Sequence, residues 1–229
     1  PPPLRPPSKW DELAYHLPHA QQWASSGRLE VTPWLRYPWF PYNFDLLYAG
    51  SLVLGSDVFT HLLHATSGWL TAWLILAAGT RYLGIARAAL ATFIWFMLTR
   101  TEYDGAINDL GVTLFVFATC VAFQNWRDQG SRGWLAISAF MLGLALGTKY
   151  QALPLVGLFG LAVLWRTRRM ADIAVAIIAL AVPCMYWYGR NWILTGDPFA
   201  PIGGHIFGFS DWNAADYKGQ FEDLAQYAG

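Results

Sequence analysis

Charge is scarce in this chain. Only 13% of the 229 residues are Asp, Glu, Lys or Arg, and the 15 acids and 15 bases cancel, whereas an ordinary soluble domain carries roughly 25% charged residues. A water-facing surface of this size needs more ionised groups than that, and a net charge of zero leaves nothing to attract nucleic acid as a partner. Cysteine is rarer still: Cys120 and Cys184 both sit inside apolar stretches, where a thiol behaves as a small buried hydrophobe. That excludes a disulfide framework and a cysteine-based metal site. The start, PPPLRPPSKW, has neither the apolar run of a signal peptide nor that of a membrane anchor. There is no repeat of fixed length and no low-complexity tract beyond the opening prolines.

What the chain has instead is apolar and aromatic. Hydrophobic residues make up 55% and aromatics 17%, with 13 Trp and 11 Tyr, rings that gather at membrane–water boundaries because one end is apolar and the other polar. Spans need about 20 apolar residues. Six stretches meet or approach that length: Val58–Gly79, Leu83–Thr99, Leu110–Trp126, Trp134–Thr148, Ala152–Trp165 and Ala171–Tyr188. The predicted fold class is therefore all-α, a polytopic transmembrane helical bundle with a juxtamembrane helical segment on its outer side.

Arginines set the expected orientation. Arg81 and Arg87, then Arg127 and Arg132, then Arg166, Arg168 and Arg169 occupy alternate connections, while Asp57, Glu102, Asp104, Asp109 and Asp197 occupy the others. The arginine turns are cytoplasmic by the positive-inside rule, which puts both termini and the acids outside. Three regions follow: an outer juxtamembrane segment at 1–57, a six-helix membrane bundle at 58–189 and an outer loop region at 190–229. With its first span only at Val58 and its end at LAQYAG, the chain reads as a fragment or processed product of a longer protein.

Four outer features carry candidate chemistry. In SKWDELAYHLPHAQQWASSG, Ser8 and Asp11 have the spacing of a capping box opening a helix over Lys9–Ser25. Glu12, Tyr15, His16 and His19 then share one helical face, either a solvated polar face or a site. In RTEYDGAINDLG, Asn108 or Asp109 suits the N-cap of the next helix; the crowded acids equally suit a divalent cation or a general base. Lys149, in LGTKYQALP, can snorkel to the interface or meet a phosphate. YGRNWILTGDPFAPIGG brings Arg190 and a Gly-Asp-Pro turn. His61 and His64, three apart on the first span, lack an evident third metal ligand, and imidazoles at that depth call for partners or a water-filled cavity.

Taken in order, Trp10-Asp11-Glu12 with Tyr15, Asn108-Asp109-Leu110, Gly147-Thr148-Lys149, and Arg190-Asn191 with Gly196-Asp197-Pro198 and Pro201 resemble the membrane glycosyltransferases with the C-type fold. The likeness is to the protein O-mannosyltransferases and the lipid A aminoarabinose transferase in particular, and it covers the N-terminal half of such an enzyme. The resemblance implies a polyprenyl-phosphate sugar as donor and a bacterial cytoplasmic (inner) membrane protein with its site on the outer face. It further implies Asp11, Glu12 and Asp109 as catalytic residues, with Asp11 and Asp109 holding a divalent metal ion where one is used. Lys149, Arg190, Tyr15 and Asp104 are the expected substrate-binding residues, and membrane lipid the expected surroundings. The alternative is a non-enzymatic accessory or scaffold subunit, whose partners are other membrane subunits.

Overall fold

The computed structural model describes residues 6–211 and, beyond them, 215, 216, 218, 219 and 222. Among these residues every regular element is helical. A helix opening at Trp10 passes through a π-helical turn, Glu12–His16, into α1, Leu17–Ser26. Next come α2, Asn43–Val53, α3, Val58–Leu83, α4, Ile85–Thr99, and α5, Asp109–Gln129. After α6, Arg132–Leu146, a 3₁₀ turn at Tyr150–Ala152 leads into α7, Leu153–Arg166, then α8, Met170–Thr195, and the short α9, Gly204–Phe207. Helices α3 to α8 occupy all six apolar stretches. The chain divides into two compact units, Pro1–Met185 and Tyr186–Gly229.

Two helices, α3 and α8, are long and apolar enough to cross a membrane. Only 33% and 22% of their most apolar 18-residue windows is buried, the reverse of a core helix in a water-soluble fold, which hides its apolar residues. Leu158, Leu161, Ile177, Ile178 and Val182 are all exposed on α7 and α8. The tight reversal between α3 and α4 depends on Gly84, the one residue between them, at φ 82°, where a Cβ would be strained.

In the first unit, side-chain bonds gather the arginine turns at one end of the bundle. Arg81 at the end of α3 donates to Asn125 at 2.8 Å and to Asp128 at 2.9 Å, both on α5. Arg132 opens α6 and pairs with Asp172 in the first turn of α8 at 2.6 Å. The opposite, acid-bearing end is closed by the segments before α3. There the Asn43 amide N–H donates to the Gly147 carbonyl at 2.7 Å, and its side chain donates to the Pro183 carbonyl at 2.7 Å. These bonds tie α2 to the end of α6 and to α8. A side chain at Gly143 would collide with the Leu180 backbone, so α6 and α8 meet at glycine contact distance.

The opening segment differs from the sequence reading in two respects. The acid that reaches back to the helix start is Glu12 rather than Asp11, and no reciprocal side-chain cap forms: its Oε1 accepts the amide N–H of Lys9 at 2.6 Å and that of Ser8 as well. Lys9, not Ser8, thus stands three residues ahead of the capping acid, and Asp11 is left facing solvent. The juxtamembrane segment also carries a second helix, α2, which contributes to a core. Phe44, Asp45 and Tyr48 are buried, while Leu47, Val53 and Leu54 on other faces are exposed. Phe44 and Tyr48 form a core with Leu17 and Ala20 of α1 and Ala106 of the α4–α5 turn.

Candidate functional site

Glu12 is the hub of the acid-bearing end. Its carboxylate is fully buried, yet four donors meet it. Besides the Ser8 and Lys9 amides, Ala106 donates its N–H to Oε2 at 2.6 Å, and His61 Nε2 lies 3.0 Å from the same oxygen. An ionised carboxylate only accepts, so His61 presents Nε2–H. Glu12 thereby fastens the first segment both to α3 and to the turn before α5. One turn further along α3, His64 does the opposite: its Nε2 lies 3.0 Å from the Leu110 N–H, a group that can only donate, so this nitrogen is unprotonated. The first turn of α5 is capped by an imidazole; Asn108, the N-cap residue, makes no side-chain cap bond. Each histidine of the His61–His64 pair has a structural partner.

A second buried pair lies beside the first. His16 Nδ1 stands 2.5 Å from Asp45 Oδ1, both groups shielded from solvent, and His19 Nε2 lies 2.9 Å from the Arg36 carbonyl. The face carrying Glu12, His16 and His19 is therefore buried rather than solvated. Asp45 was not among the candidates. Its signal was an isolated acid inside the apolar, aromatic run 33–54, a position at which a carboxylate needs a partner.

The outward-facing candidates stand next to this network. Asp11 is exposed, and its carboxylate makes no hydrogen bond or ion pair among the described residues. Tyr15 packs edge-on against Tyr37, with ring centroids 5.0 Å apart, and at a tilt against His16, with centroids 4.3 Å apart. Burial, together with the negative charges of Asp11, Asp45 and Asp109, holds the Tyr15 phenol well above the ordinary tyrosine range, so it stays protonated and able to donate. Asp109, in the first turn of α5, pairs with Lys149 at 2.7 Å. Arg36 lies over the Trp10 ring at 5.0 Å and the Tyr37 ring at 5.7 Å. Tyr15 lies within electrostatic reach of the Asp11 and Asp109 carboxylates, and Lys149 is bonded to Asp109. Asp104 is engaged elsewhere, with Lys9 at 3.1 Å.

Arg190 lies in the second unit. Its guanidinium donates twice to Asn191 Oδ1, at 3.0 and 2.8 Å, and lies 5.0 Å from the Trp187 ring. The Gly-Asp-Pro segment of that unit is a structured turn: buried Asp197 accepts the Phe199 N–H at 2.8 Å, and its own N–H donates to Thr195 at 3.0 Å. As for a divalent cation, no group of three or more His, Cys, Asp or Glu among the described residues is disposed to hold one. One Asp109 oxygen carries the Lys149 ammonium.

Comparison with known proteins yields two short matches, both to uncharacterized proteins of Shigella flexneri. One is 34% identical over 62 residues, 27% of this chain and 34% of the relative. The other is 46% identical over 52 residues, 23% of this chain and 26% of the relative. The chain thus spans about a third and a quarter of the two relatives it matches. No protein-family model matches, and no solved structure matches.

Proposed function

We propose that this chain belongs to a polytopic membrane glycosyltransferase of the C-type fold, which moves a sugar from a polyprenyl-phosphate donor to an acceptor hydroxyl at the outer membrane face. The membrane reading draws support from α3 and α8, whose apolar residues mostly face outward, and from the separation of arginine turns and acid turns to opposite ends. That separation orients the arginine end toward the cytoplasm. The observation that carries the reaction is the grouping of an unengaged carboxylate, Asp11, with the Asp109–Lys149 pair around a phenol that stays protonated.

In this reading Asp11 accepts the proton of the acceptor hydroxyl. The hydroxyl oxygen attacks the anomeric carbon from the face opposite the phosphate, the C–O bond to the phosphate breaks, and the configuration inverts. Polyprenyl phosphate departs with the bonding electrons, and the Lys149 ammonium meets the charge that develops on it. Lys149 has three N–H donors and spends one on Asp109, which aims the rest without exhausting them. Glu12 does no proton transfer here; it holds the Asp11 segment in register with Ala106 and α5.

The test is transfer by the chain reconstituted in bilayers with labelled polyprenyl-phosphate sugars. Asp11→Asn should lower kcat by about 10²–10⁴-fold, the usual worth of a positioned general base, with unfolding unchanged because Asp11 is exposed. Lys149→Ala should lower kcat/KM, because the donor phosphate loses its point-charge partner and the developing charge loses its counter-ion. Transfer by Asp11→Asn at the wild-type rate would refute the assignment. A second reading, an accessory or scaffold subunit, is favoured by one observation. Helices α4 and α7, of 15 and 14 residues, expose Leu90, Phe93, Leu98, Leu158 and Leu161 but fall short of the roughly 20 residues of a full span. Partner helices would cover them. Absence of transfer together with cross-linking from α4 and α7 to another membrane protein would establish that reading instead.

A further inference from the structure

At the arginine end, a cavity of about 330 Å³ opens between α3 and α5. Its floor is apolar, formed by Ala78, Phe117, Cys120 and Val121, and its rim carries Arg81 and Asn125. Arg81 is fixed before any ligand arrives: it donates to Asn125 at 2.8 Å and to Asp128 at 2.9 Å, and its guanidinium lies 5.2 Å from the Tyr82 ring. Those two bonds leave further guanidinium N–H donors, and the side chain remains 49% exposed.

We infer that this cavity binds an anionic bilayer phospholipid, its phosphate on Arg81 and the upper part of an acyl chain along Ala78, Cys120 and Val121. Three observations select this occupant. An apolar floor beneath a cationic rim matches an amphiphile, whereas a soluble anion would use the rim alone. The floor lies between α3, an apolar helix with most of its window facing outward, and α5, so the hydrocarbon has direct access to it. The three turns at this end carry seven arginines against two acids, Asp128 and Asp172, so the single carboxylate beside Arg81 does not reverse the sign of the local field. Basic pockets between membrane helices on the cytoplasmic side suit anionic headgroups for the same reason. The inference rests on the membrane orientation proposed above, not on sugar transfer.

The test reconstitutes the chain in phosphatidylcholine bilayers with trace spin-labelled phosphatidylglycerol or phosphatidylcholine and reads the motionally restricted fraction of each label. Phosphatidylglycerol should be retained about 5-fold more strongly, the effect of one well-placed basic contact at the membrane surface. Arg81→Gln should bring the two lipids to parity. Because that change also removes a partner of Asp128, Cys120→Trp provides the second variant: it fills the floor, alters no charge, and should abolish the preference with the Arg81–Asp128 pair intact. Equal retention of both lipids by the wild-type chain would overturn the proposal. So would a full preference surviving in Cys120→Trp, which would reduce the effect to the general field of the arginines. Displacement of the label by millimolar glycerol 3-phosphate would overturn it too, by identifying a soluble-anion site. A chain that keeps the lipid preference but transfers no sugar would sink the transferase reading and leave this one standing.

Discussion

At the acid-bearing end, Glu12, His16, Asp45, His61 and His64 are all buried, and each is bonded to a group at least 29 residues away in sequence. At the arginine end, Arg81 and Asp128 pair over a comparable sequence distance, but their side chains are 49% and 30% exposed. The chemistry of a carboxylate with a cationic or hydrogen-bonding partner is nearly the same at the two ends; the solvent is not. In a buried site the loss of one partner strands the other where water cannot reach it, whereas an exposed partner is rehydrated at once. Stability should therefore be concentrated at the end that carries the candidate site, and positional precision with it, since the bonds that hold the fold also hold Asp11 beside Tyr15.

The strongest way to break this contrast is Glu12→Ala. It strands His61 Nε2 and the Ala106 N–H and frees the first segment, and should cost about 3–5 kcal/mol, the range for removing one partner of a buried pair. Chemical unfolding in micelles reads the loss. A cost under about 1 kcal/mol would mean that water reaches Glu12 after all. Transfer should fall with it, though Glu12 touches no substrate in the mechanism above. That separates it from Asp11→Asn, which removes transfer and leaves unfolding alone.

His64→Leu sharpens the comparison within the buried end. The Leu110 N–H loses its imidazole acceptor at a helix start, which should cost about 1–3 kcal/mol, the penalty of an unsatisfied buried donor. The effect should be smaller than for Glu12→Ala, because no charge is left behind. Unfolding under the same conditions measures it, and equal costs for the two variants would show that the carboxylate contributes no more than a neutral acceptor.

How much of this was legible beforehand follows from the range of the forces involved. Helices α3 to α8 were readable because apolar runs report burial or lipid locally, and the gathering of the arginine turns at one end was readable because alternate connections between consecutive antiparallel helices fall at the same end. The placing of Asp11, Asp109 and Lys149 on one side rests on the alternation of the turns and on the resemblance, since nothing local links residue 11 to residue 149. The direction of the Glu12, His16 and His19 face could not be read, because a polar helical face has the same spacing whether it meets water or a buried Asp45. The π-helical turn over 12–16 carries no spacing signal of its own. The capping acid was misassigned by one residue because Asp11 and Glu12 are adjacent and chemically alike, and only the position of Ala106, 94 residues further on, selects between them.

The smallest expected effect completes the comparison. Asp128→Asn removes the charge that faces Arg81 while keeping an oxygen that can accept a hydrogen bond. Both side chains are partly hydrated, so the pair should contribute no more than about 1 kcal/mol. The Asn125 bond at 2.8 Å also remains to hold the guanidinium. What survives should be screened: raising the ionic strength from about 0.01 M to 1 M shortens the Debye length from about 30 Å to 3 Å, and the difference between wild type and Asp128→Asn should shrink toward zero. The Glu12→Ala deficit should barely respond to the same salt, because no ions enter a site with zero exposure. A salt-insensitive Asp128 deficit as large as that of Glu12 would mean the arginine end is as dry as the other, and the distinction between the two ends would fail.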